Sequence, residues 1–203
     1  MNGNKLKLAL DFDDTLKPFL RPWFDWHNET YETSHEVHEV TEYDLGSLMG
    51  LSNQELQRRV DEFQDYEMST ANINIFPEAI EVLKSLQQFF QYVIITARKR
   101  RFKPYTLDQL RLGMPDIEFE IYHREDYEGL KMSKAIFAKT LGCIALVEDH
   151  PGHAHEAHEL GLGAILLTAQ PNLSYIGPVE RADSWSRVDE LLRQIYNSAT
   201  GSS

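Results

Sequence analysis

The sequence predicts an α/β protein built on a doubly wound, mainly parallel, Rossmann-like sheet, with a small helical cap inserted after the first strand. Short apolar runs alternate with amphipathic helical patterns over most of the chain. Most of these runs lack the polar alternation of a half-exposed strand, as expected when helices cover both faces of a parallel sheet. Between residues 17 and 75 the pattern is helical only, which indicates an insertion into the alternating core.

The apolar runs are the predicted strands. They are Leu6 to Leu10, Tyr92 to Ile95, Ile117 to Tyr122, Ile144 to Val147 and Ala164 to Leu167. Pro77 suits the first turn of the helix before the second strand, and Ser133 can cap a later helix that Gly142 ends. Right-handed crossovers through such helices bring the carboxyl ends of the strands to one edge of the sheet, where ligands bind.

The inserted segment carries two helical patterns. The first covers roughly Pro22 to Tyr31, and the second opens with Ser52 and Glu55 in the spacing of a capping box. We therefore predict a core formed by residues 1–16 and 76–196, a helical cap formed by residues 17–75, and a disordered tail at residues 197–203.

Composition limits the classes of partner and the cellular setting. The formal net charge of −12 in 203 residues argues against binding to a nucleic-acid polymer, because phosphate backbones are bound by clustered Lys and Arg. A small phosphorylated metabolite remains compatible with this charge, since a bound metal can invert the field within a pocket. The single cysteine, Cys143, cannot form an internal disulfide. No segment reaches the roughly 18 apolar residues of a membrane helix, so we expect a soluble, cytoplasmic protein without a membrane partner.

Acidic residues follow two of the predicted strands. Asp11, Asp13 and Asp14 end the first strand, and Glu148 and Asp149 end the fourth. Three acids within four positions repel one another, which favours a nearby cation or proton, although an acidic turn that caps a helix is the alternative. Carboxylates from two neighbouring strands, with waters and a backbone carbonyl, make the oxygen-rich site that Mg²⁺ prefers.

Two further positions complete the pattern at this edge of the sheet. Thr96 ends the second strand, where its hydroxyl and the adjacent amides are suited to holding phosphate oxygens, unless the threonine serves only as a cap. Lys134 falls in the first turn after Ser133, where the helix dipole disfavours a cation unless an anion lies nearby. Lys131 is the alternative for the same role.

The ordered set Asp-x-Asp-x-Thr, Thr, Lys and Glu-Asp, spread from residue 11 to residue 149, resembles the motifs of the haloacid dehalogenase (HAD) superfamily. The resemblance implies that Asp11 is a nucleophile that forms an aspartyl-phosphate, and that Asp13 is the general acid and base of a phosphatase. It implies that Thr96 and Lys134 hold the phosphoryl group. It also implies a Mg²⁺ ion held by Asp11, by the backbone carbonyl of Asp13, by Asp149, and by Glu148 either directly or through water.

The cap adds a narrower resemblance. The segment Thr41-Glu42-Tyr43-Asp44-Leu45, followed by Gly46 and Gly50, is similar to the cap of the nucleotidase-like group related to 5′(3′)-deoxyribonucleotidases. The function implied is Mg²⁺-dependent hydrolysis of a small phosphate monoester, with a (deoxy)nucleotide as one candidate and a sugar or other metabolite phosphate as the alternative. We expect the remaining substrate contacts from Asp14, Thr15, Ala97 and Arg98.

Three groups of residues allow two interpretations each. The basic run from Arg98 to Lys103 predicts either a contact with an anionic substrate, through Arg98, or a solvated loop. The histidines between His150 and His158 predict either a second metal site or a solvated helix start. The cap aromatics Trp23, Trp26, Tyr31 and Tyr43 are suited either to stacking on a nucleobase or to forming the core of the cap.

A response-regulator-like receiver is the competing class of protein, because it also uses Asp, Thr, Lys and Mg²⁺ at strand ends. In a receiver the phosphoacceptor Asp ends a later strand before the Thr, whereas Thr96 here follows the second strand with no such Asp between. The chain also lacks a Gly-rich phosphate loop of the Walker type, so nucleotide-driven motor chemistry is not supported.

Overall fold

The computed structural model describes residues 5–70 and 74–201. In this part of the chain six strands form one parallel sheet in the order β3-β2-β1-β4-β5-β6. The strands are β1 (Leu6–Leu10), β2 (Phe90–Ile95), β3 (Phe119–Tyr122), β4 (Cys143–Glu148), β5 (Gly163–Leu167) and β6 (Glu180–Ala182). The predicted doubly wound α/β class is confirmed.

Helices connect the strands and form the cap. Those of the cap are α1 (Leu20–Tyr31), α2 (Leu45–Met49) and α3 (Asn53–Thr70). Those of the core are α4 (Pro77–Leu86), α5 (Lys103–Gly113), α6 (Arg124–Glu128), α7 (Lys134–Thr140), α8 (Pro151–Glu159) and α9 (Trp185–Thr200). No helix in the described ranges has the length and apolarity required to cross a membrane.

Both faces of the sheet are buried. Leu8 and Leu10 pack with α4 and α9 on one face, while Ala9 packs with α7 and α8 on the other. All three side chains are 0 % exposed, which explains why the strand reads as a continuous apolar run.

The strand order places β1 and β4 at the centre of the sheet. The chain runs from β1 to β2 and β3 on one side, then crosses back to β4 and continues outward to β5 and β6. Neighbouring strands that depart to opposite sides leave a crevice beyond their carboxyl ends, and ligands bind in such crevices. The residues that follow β1 and β4 therefore lie where the fold provides a binding site.

The cap has a small core of its own, in which Trp23, Phe24 and Phe63 are almost fully buried. Trp23 is therefore a packing residue of the cap. The two linkers between cap and core run together, since the Phe76 amide donates to the Leu16 carbonyl at 2.8 Å.

Two parts of the chain differ from the sequence expectation. Helix α9 continues to Thr200 and ends at Gly201, so the predicted disorder from residue 197 is wrong for residues 197–201; residues 202–203 lie outside the described ranges. The last turn, residues 197–200, is exposed, and Gly201 ends the helix in the left-handed conformation with its amide bonded to the Asn197 carbonyl. Strand β6 was missed because it has only three residues, two of them charged, at the edge of the sheet.

Candidate active site

Asp11 and Lys134 form a buried ion pair beyond the central strands. Asp11 directly follows β1, and its amide donates to the Val147 carbonyl at 3.0 Å, which continues the pairing with β4. Lys134 opens α7 after the Ser133 cap, and its Nζ lies 2.7 Å from Asp11 Oδ1 and 2.8 Å from Glu148 Oε2. The position of Lys134 in the first turn of a helix predicted a nearby anion, and the structure places two carboxylates there. Lys131, the alternative, is exposed and has a φ of 56°.

Glu148 and Asp149 bring two more carboxylates to the same point. Carboxylate oxygens of Asp11, Glu148 and Asp149 lie within 4.8 Å of one another, and all three residues are buried. Lys134 supplies one positive charge for three acids. An all-oxygen set with excess negative charge fits a hard divalent cation such as Mg²⁺ better than a soft one.

The electrostatics of this cluster favour a cation or a proton. Burial and the neighbouring Glu148 raise the pKa of Asp11 from 3.8 to about 7, against the opposing effect of Lys134. Burial, Glu148 and Asp11 together raise the pKa of Asp149 well above its ordinary value. Burial also acts on Glu148, but Lys134 outweighs it and lowers the pKa of that carboxyl. Without a metal, the cluster is therefore partly protonated near neutral pH.

Asp13 is held by a different cation. Arg98 Nε and Nη2 donate to its two carboxylate oxygens, each at 2.7 Å, in a bidentate pair. Burial acts to raise the pKa of Asp13, but the Arg98 guanidinium outweighs it, so the pKa lies below its ordinary value. Arg98 is 2 % exposed and does not line the cavity described below. Its predicted contact with substrate remains a prediction, and in this structure its partners are carboxylates.

The other residues predicted to contact substrate either line the cavity or lie buried beneath it. Asp14 has a φ of 52°, and its carboxylate accepts bonds from the Phe19 and Leu20 amides at the start of α1. Ala97 is exposed and lines the cavity, as Asp14 does. Thr15 and Thr96 are buried below that surface, and the Thr96 hydroxyl accepts the Arg98 amide at 3.2 Å.

A cavity of about 200 Å³ lies over the acidic cluster. Its floor includes Asp11, Asp13, Asp149 and Lys134 from the core. Its other wall is largely apolar and includes five residues of the cap segment: Phe19, Leu20, Val40, Tyr43 and Leu45. The cap thus encloses the space next to the carboxylates without placing a charged side chain of its own in the wall.

Tyr43 is the cap residue that contacts the acidic cluster. Its hydroxyl lies 2.6 Å from Asp149 Oδ2 and 2.8 Å from the Asp149 backbone carbonyl, so it donates to this residue from across the cavity. The sequence predicts for Tyr43 either stacking on a nucleobase or a place in the core of the cap, and no contact with the acidic residues. A pairing between residues 106 positions apart leaves no local pattern that would have pointed to it.

The histidines after β4 divide among separate contacts. His150 and His153 line the cavity, and the Nδ1 of His150 accepts the Gly152 amide at the start of α8. Burial lowers the pKa of His153 to about 4, so its ring is neutral at physiological pH. His155 lies 3.0 Å from the Tyr175 hydroxyl, and His158 is exposed. Among the described residues, the one group of three that could hold a metal is the carboxylate cluster.

The basic run after Arg98 contacts the cap. Lys99 Nζ lies 2.5 Å from Asp61 Oδ2, and Arg101 Nη1 lies 2.9 Å from Asp65 Oδ1, both acids being on α3. These side chains are partly exposed, so each pair contributes little to stability on its own. Lys99 and Arg101 therefore join core and cap, a role that neither interpretation of the sequence included, whereas Arg100 pairs with Asp126 of the core at 2.6 Å.

The fold matches that of solved HAD-like hydrolases. No protein-family model matches the chain, and no curated protein matches it. Solved structures do match it over nearly their whole length. A haloacid dehalogenase-like family hydrolase from Streptococcus pneumoniae is 16 % identical, with a TM-score of 0.64 over 93 % of this chain and 98 % of that one.

Two other similar structures contain bound ions. A HAD family hydrolase from Deinococcus radiodurans, with bound phosphate and sodium, is 15 % identical, with a TM-score of 0.63 over 94 % of this chain and 96 % of that one. YfnB from Bacillus subtilis, described as of the HAD-hydrolase type and bound to magnesium, is 14 % identical, with a TM-score of 0.60 over 94 % and 99 %. At these identities the likeness establishes the fold alone.

Proposed function

We propose that this protein is a Mg²⁺-dependent phosphatase that hydrolyses a small phosphate monoester through an aspartyl-phosphate on Asp11. The observation that carries the proposal is the geometry of Asp11: a buried carboxylate at the floor of a cavity, bonded to Lys134 and within 4.8 Å of two further carboxylates. A nucleophile, a fixed cation and an oxygen-rich metal site are thereby brought together at the carboxyl ends of β1 and β4.

The reaction consists of two transfers at phosphorus. An oxygen of Asp11 attacks phosphorus, and the leaving-group oxygen departs with a proton from Asp13. Asp13 takes up this proton when it parts from Arg98, because Arg98 is the group that holds its pKa low against the effect of burial. In the second transfer, Asp13 takes a proton from water, which attacks the phosphorus of the aspartyl-phosphate and releases phosphate and free Asp11. Lys134 binds Asp11 Oδ1, which leaves Oδ2 as the attacking oxygen. The positive charge of Lys134 also offsets the negative charge of the transferred phosphoryl group. A Mg²⁺ ion held by Asp11, Asp149 and Glu148 would neutralise charge on the phosphoryl oxygens.

The cavity favours a small leaving group. Its volume of about 200 Å³ is below the roughly 300–1,000 Å³ typical of sites for drug-sized ligands. The apolar cap wall offers no charged partner for a second anionic group on the substrate. These features favour a metabolite phosphate with an uncharged leaving group. A (deoxy)nucleotide is the second candidate, supported by the resemblance of the cap and by Tyr43 in the cavity wall.

A panel of phosphate monoesters tests the proposal. We expect the purified protein to hydrolyse p-nitrophenyl phosphate and small uncharged-alcohol phosphates with Mg²⁺, and to lose this activity in EDTA. Deoxynucleotides, sugar phosphates and phosphorylated acids complete the panel, and a preference for one of them identifies the substrate class. Absence of multiple turnovers on the whole panel contradicts the proposal, and a single slow phosphorylation without turnover would favour the receiver class instead.

Tyr43→Phe is expected to weaken Mg²⁺ binding. The variant removes the hydroxyl that donates to Asp149 but keeps the ring in the cavity wall. Loss of a hydrogen bond that orients a metal-ligating carboxylate lowers metal affinity about 10-fold to 100-fold. The measurement is the Mg²⁺ concentration for half-maximal activity, with Tyr31→Phe as the control, since Tyr31 is a cap tyrosine bonded to Glu62 instead. An equal Mg²⁺ requirement in wild type and Tyr43→Phe contradicts the expected role.

A further inference from the structure

A largely buried network of four charged side chains connects Asp13 to the two ends of the cap segment. Arg98 Nη2 lies 2.7 Å from Asp13 Oδ1 and 2.9 Å from Glu67 Oε2. Glu67 also bonds to Lys17 through its other oxygen. Lys17 belongs to the linker that enters the cap, and Glu67 lies in the last turn of α3, which leads back to the core. The two positive and two negative charges balance within the network.

Three members of the network are shielded from water. The side chains of Arg98 and Lys17 are 0 % exposed and that of Glu67 is 10 % exposed, while that of Asp13, which lines the cavity, is 22 % exposed. The ring of Tyr105 lies 5.3 Å from Arg98 Cζ and 5.7 Å from Lys17 Nζ, which covers both cations with an aromatic face. Buried charges require partners, because solvent does not compensate for a lost one. Each member of the network therefore depends on the others for its position.

The surface ion pairs between cap and core have a different character. Asp65 on α3 pairs with Arg101, and the two side chains are 46 % and 47 % exposed. Water and salt can replace either partner there, so the pair couples the position of the cap to the core only weakly. Glu67, two residues further along the same helix, bonds to a guanidinium nitrogen that also bonds to Asp13. The structure thus singles out Glu67 among the acids of α3.

We infer that Glu67 is a positioning residue for proton transfer, which couples the cap to Asp13 through Arg98. The inference rests on the proposed function, in which Asp13 gives a proton to the leaving group. With Glu67 in place, Arg98 and Lys17 divide their charge between two carboxylates, and Asp13 can part from Arg98 to act. When Glu67 is absent or withdrawn with the cap, the same two cations have Asp13 as their one anionic partner in the network and hold it away from the leaving group.

The proton-transfer step has a specific signature in the leaving group. As the Asp11–phosphorus bond forms and the bond from phosphorus to the leaving oxygen breaks, that oxygen takes a proton from Asp13. A p-nitrophenolate leaves readily without this proton, whereas a phenolate is more basic and needs it. The two phenyl esters have nearly the same size, so a difference between them reports on the proton and not on binding.

Glu67→Gln tests the inference in single turnovers with enzyme in excess and saturating Mg²⁺. We expect release of phenol from phenyl phosphate to slow at least about tenfold, because general acid catalysis contributes about 10²–10⁴-fold and the variant misplaces the acid without removing it. Release of p-nitrophenol from p-nitrophenyl phosphate should stay close to the wild-type rate, and KM should change little for either ester. Asp65→Asn is the matched control, and both of its rates should remain those of wild type.

Two further results keep the inference open to refutation. Equal slowing of both esters in Glu67→Gln, or no slowing of either, would overturn it while leaving a Mg²⁺-dependent phosphatase in place. Wild-type protein without phosphatase activity would overturn the proposed function and the inference together. If Glu67→Gln does not fold, as judged by its thermal transition, Glu67→Asp provides the same test. It keeps the buried negative charge but shortens the side chain by one methylene, which withdraws the carboxylate from Arg98 Nη2, and we expect the same selective loss on phenyl phosphate.

Discussion

Asp11→Asn is expected to lower turnover of p-nitrophenyl phosphate by at least about 10⁴-fold, since removing a nucleophile from a catalytic unit has effects of this size or larger. Asparagine keeps the shape of the side chain but cannot form an acyl phosphate with phosphorus. The fold should survive the change, because Lys134 retains its bond to Glu148 and the cluster loses one of its three buried carboxylates. Without metal, the variant should therefore be at least as thermally stable as wild type at neutral pH.

Two measurements complete this test. Steady-state hydrolysis with Mg²⁺ gives the loss of turnover, and acid-quenched protein after reaction with labelled substrate shows whether phosphate is bound covalently. Asp108→Asn, at an exposed position on α5, makes the same change of charge and should behave as wild type in both. Magnesium-dependent hydrolysis that persists in Asp11→Asn would remove Asp11 from the role of nucleophile.

The core of the site could be predicted because local sequence decides where a parallel strand ends. The apolar run from Leu6 to Leu10 has the bounds of strand β1, and the residues after it lie at the carboxyl edge whichever neighbours the strand has. The same holds for Glu148 at the end of β4. What the sequence left open was the choice between Lys131 and Lys134. Lys134 is buried and Lys131 is exposed, and this difference depends on how α7 packs against β4 and α8.

The contacts of the cap with the core could not be predicted in this way. Arg98 opens a run of basic residues, and nothing in the run distinguishes it from Lys99 or Arg101. In the structure Arg98 turns inward to Asp13 and Glu67, 85 and 31 positions away, while Lys99 turns to Asp61 on the surface of α3. Such partners are set by the docking of α3 on the core, a tertiary property that leaves no periodic signal along the chain.

Lys134→Met is expected to destabilise the metal-free protein by about 3–5 kcal/mol, the usual effect of removing one partner from a buried ion pair. The methionine fills most of the space but leaves Asp11 and Glu148 without their cation, next to Asp149. For a domain of this size, about 2–4 °C of Tm is lost per kcal/mol, so Tm should fall by roughly 6–20 °C. Lys131→Met is the control, because Lys131 is exposed and the two variants share the same change of residue.

The destabilisation by Lys134→Met should grow as pH rises. In wild type, the folded pKa of Asp11, about 7, lies above its ordinary value of 3.8, so the folded state binds more protons and metal-free stability falls as pH rises between these values. Loss of Lys134 raises this pKa further and removes the cause of the lowered pKa of Glu148, so ionisation destabilises the variant more than wild type.

Thermal unfolding in EDTA at about pH 5 and about pH 8 measures the difference in Tm between Lys134→Met and wild type, which should be larger at the higher pH. Mg²⁺ should reduce it there by supplying the missing positive charge, since ligands that bind the folded state raise its stability. A Tm difference that is independent of pH, or one that Lys131→Met reproduces, would show that Lys134 does not neutralise the cluster, and the charge balance assigned to the site would fall with it.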